Sequence, residues 1–264
     1  MTTPQFDIRP SLIKGDPADA YLHWTKEVMR LESLNPKVLM DFSAPNSGVL
    51  CGVEEAKALL LNVLPKVEQD NQTNNGNDVV QVWAMEEGEK FEAGEPVLRV
   101  ISKYASFGLY ETSILGMLSS STGWATAAND CVESAGETTV IAYGARHIHP
   151  NVAHILDYAS VIGGCSSVST ILGSKHAGRN PIGNMPHSLP LLFGDTVAAA
   201  QAFDKHIGME TQRIVVVDTF KDEAEEALNV AEALRDRLRG IRLDTPFERG
   251  GVTPMLVREI RNRL

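Results

Sequence analysis

Apolar runs alternate with amphipathic stretches throughout the second half of the chain. The runs are TTVIAYG, SVIGG, NPIGNM, RIVVVD and GIRLD, and each ends in a polar or glycine-rich turn. They recur at intervals of roughly 20 to 30 residues, with apolar residues at helical spacing between them. Such strand-then-helix units favour parallel strands covered by helices. Residues 138–264 are therefore predicted to form an α/β barrel domain, which stays incomplete because five units do not close a barrel.

The first half of the chain has a different pattern. Helical spacing in ADAYLHWTKEVMRL is followed by PKVLMDFSAP and GVLCGVEEAKALLLNVL, which predict a strand and a second helix. The stretch VVQVWAMEEGEKFEAGEPVLRVISKY alternates, with turns at Glu87–Gly88 and Ala93–Gly94, and predicts short antiparallel strands. Residues 1–107 are thus predicted to form an N-terminal α+β domain, with a solvated loop at residues 68–78, where no residue is apolar.

Residues 108–137 are predicted to form one long connecting helix. Its many serines and glycines favour close packing against another helix or a second subunit. Glu111 and Thr112 fall in its first turn, where the backbone N–H groups lack partners within the helix. These two residues either cap the helix or belong to a binding site, and the pattern leaves both interpretations open.

Composition and charge narrow the classes of partner. The 264 residues, 43% of them hydrophobic, are enough for a sizeable core. The net charge is -10 and the basic residues are scattered, so neither nucleic acid nor an anionic membrane is an expected partner. Cys51, Cys131 and Cys165 lack metal-ligand spacing and are predicted to be reduced thiols of a cytoplasmic protein. The polar start and the lack of an apolar run of about 18 residues favour the same location.

Candidate functional residues follow the predicted strands. In chain order they are Arg146, Gly163 with Gly164, His187, Asp218 and Asp244. The carboxyl ends of barrel strands face one mouth, so we expect these residues to converge on one pocket.

The two aspartates each end a very apolar run. A carboxylate there is costly to desolvate unless it meets a hydroxyl, a cation or a metal ion. Asp218 and Asp244 are therefore suited to a ribose diol or to Mg²⁺. The alternative is a buried ion pair, for instance between Asp244 and Arg242.

Arg146 is a natural anchor for a carboxylate or phosphate, because its guanidinium group binds such anions with two hydrogen bonds. His147 and His149 would share one face if the strand continued through them, which fits a metal site in an amidohydrolase-type barrel. Among the other histidines, however, only His187 follows a predicted strand, so no metal-ligand set is predicted.

His187 follows a glycine-containing run and is a candidate general acid, phosphate ligand or phosphoryl acceptor. The alternative is a core histidine with satisfied hydrogen bonds. The run GGCSSVSTILGSK combines flexible backbone with hydroxyl groups, including those of Ser169 and Thr170, ahead of a helix. It is predicted to cradle an anion.

Several segments together resemble the nicotinate phosphoribosyltransferase family, in particular its shorter archaeal and bacterial type. The segments are GARHIHP, DYASVIGGCSSVSTILGSKHAGRNPIGNMPHSLPLLFGDT, RIVVVDTFKDEA and GIRLDTP, with weaker matches in DAYLHWTKEVM, EAGEPVLRV and YETSILGMLSSSTGWATAA. The resemblance implies an incomplete α/β barrel beside a small α+β domain, usually in a homodimer with shared sites. It also implies that nicotinate and 5-phosphoribosyl 1-diphosphate give nicotinate mononucleotide and diphosphate in NAD biosynthesis.

The resemblance assigns roles to individual residues. His187 resembles a histidine that some members phosphorylate from ATP, and Asp218 and Asp244 resemble the acids that face the ribose. The substrate-binding positions that it implies are Arg146, His147, Tyr21, Glu111, Thr112, Ser169 and Thr170. Mg²⁺ is implied as the partner of the leaving diphosphate, and ATP as a further substrate.

Three departures from the family pattern stand out. The usual GGFDG-type turn is GGCSS, and the usual GTMPH is GNMPH, with Asn184 in place of threonine. Family members also continue past Leu264, through a glycine-rich phosphate-binding turn, so the chain is expected to be cut short. The alternative functions are an inactive or split relative that binds ligand or regulates, and a metal-dependent barrel hydrolase.

Overall fold

A computed structural model describes residues 6–64 and 80–264 of the chain. The chain divides into two compact units, Met1–Pro181 and Ile182–Leu264. This division lies at a different place from the predicted domain boundaries after residues 107 and 137, which stay predictions. The predicted loop at residues 68–78 lies outside the described residues.

The first unit begins with helices and an antiparallel sheet, as the alternation of apolar residues predicts. The elements are α1 (Pro10–Lys14), α2 (Ala20–Leu31), β1 (Lys37–Ser43), β2 (Gly48–Val49), α3 (Val53–Val63), β3 (Gln81–Ala84), β4 (Lys90–Phe91) and β5 (Pro96–Lys103). The sheet order is β1-β5-β3, and β2 pairs with β4. Gly88 and Gly94 have φ of 88° and 80°, which glycine adopts without strain, so both predicted turns are confirmed.

One long helix follows the sheet, as predicted. After α4 (Tyr104–Phe107) and a 3₁₀ turn at Gly108–Tyr110, α5 runs over Glu111–Ala135. Glycines of neighbouring segments allow close approach to this helix: a Cβ at Gly52 would lie 2.4 Å from the Met117 carbonyl oxygen, and a Cβ at Gly163 would lie 2.2 Å from that of Ala125. Close packing of α5 against neighbouring backbone is therefore confirmed within this unit.

The rest of the first unit contains a short parallel pair of strands. The elements are β6 (Ile141–Ala142), 3₁₀ turns at Gly144–His147 and Pro150–Val152, α6 (Ala153–Ile162), β7 (Ser167–Val168) and α7 (Ile171–His176). Ile141 pairs with Ser167 in parallel. The predicted strand SVIGG is wrong, because AHILDYASVI forms one uninterrupted helix with a buried face, and the strand lies a few residues later. Gly163 and Gly164 thus follow a helix rather than a strand.

The second unit contains the last two strands and four helices of the described chain. The elements are α8 (Ser188–Phe193), α9 (Thr196–His206), β8 (Ile214–Val216), α10 (Glu223–Leu234), a 3₁₀ turn at Arg235–Arg237, β9 (Gly240–Arg242), a 3₁₀ turn at Phe247–Arg249 and α11 (Pro254–Arg263). The strands β8 and β9 are parallel. The predicted strand NPIGNM is reduced to one parallel bridge, between Met185 and Val215.

Helix starts in this unit follow the sequence closely. The Asp222 side chain accepts a hydrogen bond from Glu225 N at the start of α10, and Thr253 caps α11 with proline in the first turn.

The fold class is α/β. The strands β6 and β7 pair in parallel, as do β8 and β9, and no closed barrel forms among the described residues.

Candidate functional site

In the second unit, each of three neighbouring backbone segments is followed by one predicted catalytic residue. The bridge at Met185 and the strands β8 and β9 lie side by side and run in the same direction. His187 follows Met185 by two positions, Asp218 follows Val216, and Asp244 follows Arg242 in the same way. Because the three segments are parallel and each residue follows its segment by two positions, the three side chains lie at one edge of the layer formed by Met185, β8 and β9.

One nitrogen of the His187 imidazole, Nε2, faces both carboxyl groups. Its Nε2 atom is 3.3 Å from Asp244 Oδ2 and 3.7 Å from Asp218 Oδ1. Its Nδ1 atom is 3.0 Å from Thr219 Oγ1. The side chains of His187 and Asp244 are 35% and 42% exposed, whereas that of Asp218 is 1% exposed. The cluster is thus accessible to solvent at His187 and Asp244 and buried at Asp218. His187 is therefore not a core histidine.

Asp218 is held in an unusual state. Its φ is 82°, in the left-handed region that aspartate enters more readily than most residues. Its Oδ1 atom is buried and has no hydrogen-bond partner within the described part of the chain, since 3.7 Å from His187 is too long. Burial raises the pKa of Asp218, and Glu223 and Asp244 add to that effect against the opposing charge of His187. A buried carboxyl oxygen without a partner is suited to a ligand hydroxyl or a cation.

Asp244 is held from the other side by an arginine. Arg242 Nη2 donates to Asp244 Oδ2 over 2.7 Å, and Arg242 Nη1 donates to Asn184 Oδ1 over 2.9 Å. The ion pair proposed as an alternative therefore forms, but it is partly exposed rather than buried, with side chains 29% and 42% exposed. Asn184, one of the departures from the family pattern, orients this arginine.

Two buried glutamates behind the cluster escaped prediction. Glu223 and Glu226 on α10 contact the loops that follow β8 and β9. The available signal was their helical spacing, since they share a face with the buried residues Ala227, Val230 and Leu234.

In the first unit, Tyr21 and Thr112 converge on Asp19. The Thr112 hydroxyl donates to Asp19 Oδ2 over 2.7 Å, and the Tyr21 hydroxyl donates to the same atom over 3.1 Å. Asp19 N in turn donates to Thr112 Oγ1. The hydrogen bond to Asp19 and the charge of that carboxylate raise the pKa of Tyr21. The Tyr21 ring is 57% exposed, so it is not plain core.

Glu111 accepts a hydrogen bond from the Tyr104 hydroxyl over 2.7 Å. Burial, followed by this hydrogen bond, raises the pKa of Tyr104 to about 12. The start of α5 has no side-chain cap, so the capping alternative for Glu111 and Thr112 is wrong. Their side chains instead join α5 to neighbouring segments of the first unit.

Arg146 and His147 lie in the 3₁₀ turn Gly144–His147, and both are exposed. The strand does not continue through them, so the premise that places His147 and His149 on one strand face is wrong. The Arg146 side chain is exposed, which leaves its guanidinium accessible to a ligand. Across residues 6–64 and 80–264, no group of three or more His, Cys, Asp or Glu side chains is arranged to hold a metal ion.

The predicted anion cradle is largely occupied by internal contacts. The Thr170 hydroxyl accepts from Gly173 N at the start of α7 and donates to the buried carboxyl group of Asp157. The Ser167 hydroxyl donates to the carbonyl oxygen of Asn180, and Ser169 is half-buried. These hydroxyls stabilise the loop, and a substrate-binding role for Ser169 and Thr170 stays a prediction.

The predicted site residues are divided between the two units. His187, Asp218 and Asp244 meet in the second unit. The remaining ones belong to the first unit, and their convergence with this cluster stays a prediction: Tyr21, Glu111, Thr112, Arg146, His147, Ser169 and Thr170. A membrane-spanning helix is absent from the part of the chain that the structure describes.

Family models match almost the whole chain. The model described as the quinolinate phosphoribosyl transferase N-terminal domain matches residues 19–122, and that of the C-terminal domain matches residues 124–262. Nicotinate phosphoribosyltransferases of Mycobacterium tuberculosis and Bacillus subtilis are each 28% identical over 169 residues, 62% of this chain. Those segments cover 36% and 34% of the two relatives, so the chain spans about a third of their length.

Solved structures point the same way. Nicotinate-nucleotide pyrophosphorylase from Pyrococcus furiosus is 38% identical with a TM-score of 0.87, over 100% of this chain and 66% of that one. Human nicotinic acid phosphoribosyltransferase, at 19% identity and a TM-score of 0.66 over 87% of this chain and 61% of that one, shows the shared fold alone. The predicted resemblance to nicotinate phosphoribosyltransferases therefore holds as a distant one, and the family assignment changes. The chain belongs to the quinolinate phosphoribosyl transferase family.

Proposed function

We propose that this chain carries a phosphoribosyl-transfer site that forms nicotinate mononucleotide and diphosphate from nicotinate and 5-phosphoribosyl 1-diphosphate, a step of NAD biosynthesis. The observation that carries the proposal is the Nε2 atom of His187 facing the carboxyl groups of both Asp218 and Asp244, in a chain of a phosphoribosyltransferase family. The exposed guanidinium of Arg146 supports it, because nicotinate and the sugar phosphate are both anions.

The reaction requires that the substrates are oriented and that positive charge is stabilised, and it does not require a strong base. The lone pair of the pyridine nitrogen forms the bond to the anomeric carbon, while the bond from that carbon to the diphosphate oxygen breaks and its electrons leave with diphosphate. The pyridine nitrogen is unprotonated near neutral pH, so no proton has to be removed first. Positive charge grows at the anomeric carbon, and carboxylates beside the sugar lower the free energy of that state.

Asp218 and Asp244 fit this role. Both present oxygen atoms on the same side of His187, and Asp218 Oδ1 has no hydrogen-bond partner in the described residues. We propose that these two carboxyl groups accept hydrogen bonds from the ribose hydroxyl groups. Mg²⁺ bound with the substrate phosphates would neutralise charge on the leaving diphosphate, and two carboxylates are an ordinary protein contribution to such a site.

ATP is proposed as a further substrate, with His187 Nε2 as the phosphoryl acceptor. The Nε2–phosphorus bond would form as the bond from the γ-phosphorus to its bridging oxygen breaks, and ADP would leave. Thr219 at Nδ1 fixes the orientation of the ring, so that Nε2 is the nitrogen that faces the acids.

Quinolinate is the second candidate for the pyridine substrate, because the matching family model is described by that acid. Quinolinate has one carboxyl group more than nicotinate. Its conversion to the same nucleotide would therefore release CO₂ together with diphosphate, which separates the two candidates by their products.

The test is diphosphate release from 5-phosphoribosyl 1-diphosphate with nicotinate, quinolinate or nicotinamide, each with and without ATP. We expect nicotinate-dependent release that ATP increases, without CO₂. Release of CO₂ from labelled quinolinate would instead assign the second candidate. Binding of the pyridine acids without release of diphosphate would support the ligand-binding alternative and contradict the proposal.

His187→Ala tests the role of the imidazole. We expect the variant to fold, to lose about 100-fold or more of its ATP-dependent turnover and to lose ATP stimulation. His206→Ala, at an exposed histidine at the end of α9, is the matched control and should leave turnover unchanged. An unchanged ATP requirement in His187→Ala would show that the histidine does not accept phosphate.

A further inference from the structure

We propose that Glu223 and Glu226 are positioning residues that hold the two strand-end loops of the site in register. The consequence for turnover rests on the proposed function. The contacts themselves can be tested without it.

Glu226 organises the loop that carries Asp218. Its side chain is almost fully buried, and its Oε2 atom accepts a hydrogen bond from Thr219 N over 3.1 Å. Its Oε1 atom accepts from Phe220 N over 2.9 Å and from the Thr196 hydroxyl over 2.8 Å. The carboxylate thus holds the two backbone amides that directly follow Asp218.

Glu223 contacts side chains of the loop that carries Asp244. It is also buried, and its Oε1 atom accepts from the hydroxyl of Thr245 over 2.6 Å. Its Oε2 atom accepts from Arg249 Nη2 over 3.1 Å. Burial alone would raise the pKa of Glu223, but the hydrogen bond from Thr245 and the charge of Arg249 outweigh it, and the pKa is lowered.

Both glutamates belong to one rigid element. They are three positions apart in the first turn of α10, so they lie on the same side of the helix. That side continues into Ala227, Val230 and Leu234, which anchor the helix in the core. A single helix therefore fixes the relative position of the loops after β8 and β9.

The effect reaches the imidazole through Thr219. This residue donates its backbone N–H to Glu226, and its hydroxyl contacts His187 Nδ1. Loss of the Glu226 contact would therefore disturb Asp218 and His187 together. Two buried carboxylates with every oxygen bonded are costly to retain for stability alone, because apolar residues would fill the same space.

The experiment compares Glu226→Gln and Glu223→Gln with Glu232→Gln, which removes an exposed glutamate from the same helix. Glutamine keeps the shape, but it replaces one acceptor oxygen with an NH₂ group that faces a donor. We expect the first two variants to fold and to lose about tenfold to 100-fold in kcat, with a smaller change in KM, because the acids are misplaced. Glu232→Gln should match the wild type.

A structural measurement separates this inference from the proposed function. In Glu226→Gln, amide hydrogen exchange at Thr219 and Phe220 should accelerate about tenfold or more, while Val215 in β8 keeps its protection. The ¹⁵N shift of His187 Nδ1 should change as its contact with Thr219 loosens. These two measurements test the contacts of Glu226 even if the wild type does not form the nucleotide.

Unchanged exchange at Thr219 and Phe220 would overturn the inference, as would full turnover of Glu226→Gln where the wild type is active. If Glu226→Gln does not fold, Thr196→Val removes one donor to the same Oε1 atom with little change of shape. Faster exchange at Phe220 in that variant would support the inference, and wild-type exchange would overturn it.

Discussion

At the residue scale, Asp218 combines two features that each raise the free energy of the folded state. Its backbone has φ of 82°, and its carboxyl group is buried with one oxygen that lacks a partner among the described residues. Such strain persists where the surrounding structure holds it, which here is done by Glu226 through the next two amides. The combination supports the proposed role of Asp218, because backbone strain of this kind clusters at functional sites.

Asp218→Asn should therefore raise stability and remove activity. The pKa of Asp218 is raised by burial, so folding takes up a proton between the ordinary carboxyl pKa and the raised value, and stability falls as pH rises through that window. Asparagine avoids this cost and tolerates positive φ. At neutral pH we expect a Tm gain of a few degrees, since about 1 kcal/mol corresponds to about 2–4 °C.

The gain should shrink as pH falls toward the ordinary carboxyl pKa of about 3.9, because the wild-type side chain is then protonated as well. Turnover should fall about 100-fold or more. Thermal denaturation across pH and the diphosphate assay measure the two effects, with exposed Asp236→Asn as control. A less stable Asp218→Asn at neutral pH would contradict the account.

The sequence allows prediction of the acids in the cluster but not of the residues behind them. Asp218 and Asp244 stand out because a charge directly follows an apolar strand. Glu223 and Glu226 follow a capping aspartate, where acidic residues ordinarily complement the helix dipole in solvent. Their helical spacing with Ala227, Val230 and Leu234 indicates a buried face, but it does not report which loop amides and hydroxyls satisfy the two carboxylates.

At the element scale, α6 shows why a short apolar run is ambiguous. The run SVIGG has the length of a buried strand, yet it ends a helix whose apolar residues pack on α5. Runs of this length do not distinguish strand from helix without their flanks. By contrast, the antiparallel strands β3, β4 and β5 could be predicted, because Val80, Val82 and Ala84 alternate and turns at Gly88 and Gly94 separate the strands.

Gly163→Ala tests the approach of α6 to α5. Its φ of -69° suits alanine, but a Cβ would lie 2.2 Å from the Ala125 carbonyl oxygen, so the helices must separate. We expect a loss of about 1–3 kcal/mol in the free energy of unfolding, measured by urea denaturation.

Gly116→Ala is the matched control within α5. A Cβ there meets nothing within 4 Å, and a helical glycine replaced by alanine gains about 0.5–1 kcal/mol. Equal stabilities for Gly163→Ala and Gly116→Ala would refute the close approach.

At the scale of the whole molecule, each unit has its own buried core. One cluster in the first unit includes Leu98, Phe107 and Ile114, and one in the second includes Met185, Val215 and Leu234. The alternating strand-helix pattern predicts the ladder of β8 and β9 in the second unit, but in the first unit it places the second strand at SVIGG instead of at β7. It does not report where contacts become sparse, so the division near residue 181 is not visible in the sequence.

Separate cores predict two unfolding transitions in calorimetry. Leu98→Ala removes a fully buried side chain in β5 and should lower one transition, at a cost of about 2–5 kcal/mol. Val215→Ala, in β8, should lower the other by a smaller amount, because it removes less volume. A single transition that both substitutions lower would contradict independent cores.

The hydrogen bond from Arg242 to Asn184 has a consequence for the evolution of the family. Threonine, the usual residue in the resembled pattern, places its oxygen one bond closer to the backbone and would fall short of a 2.9 Å contact. The two positions are therefore expected to co-vary among related chains. Lineages with asparagine should retain the arginine, whereas in lineages with threonine the ion pair with Asp244 is the remaining constraint on it.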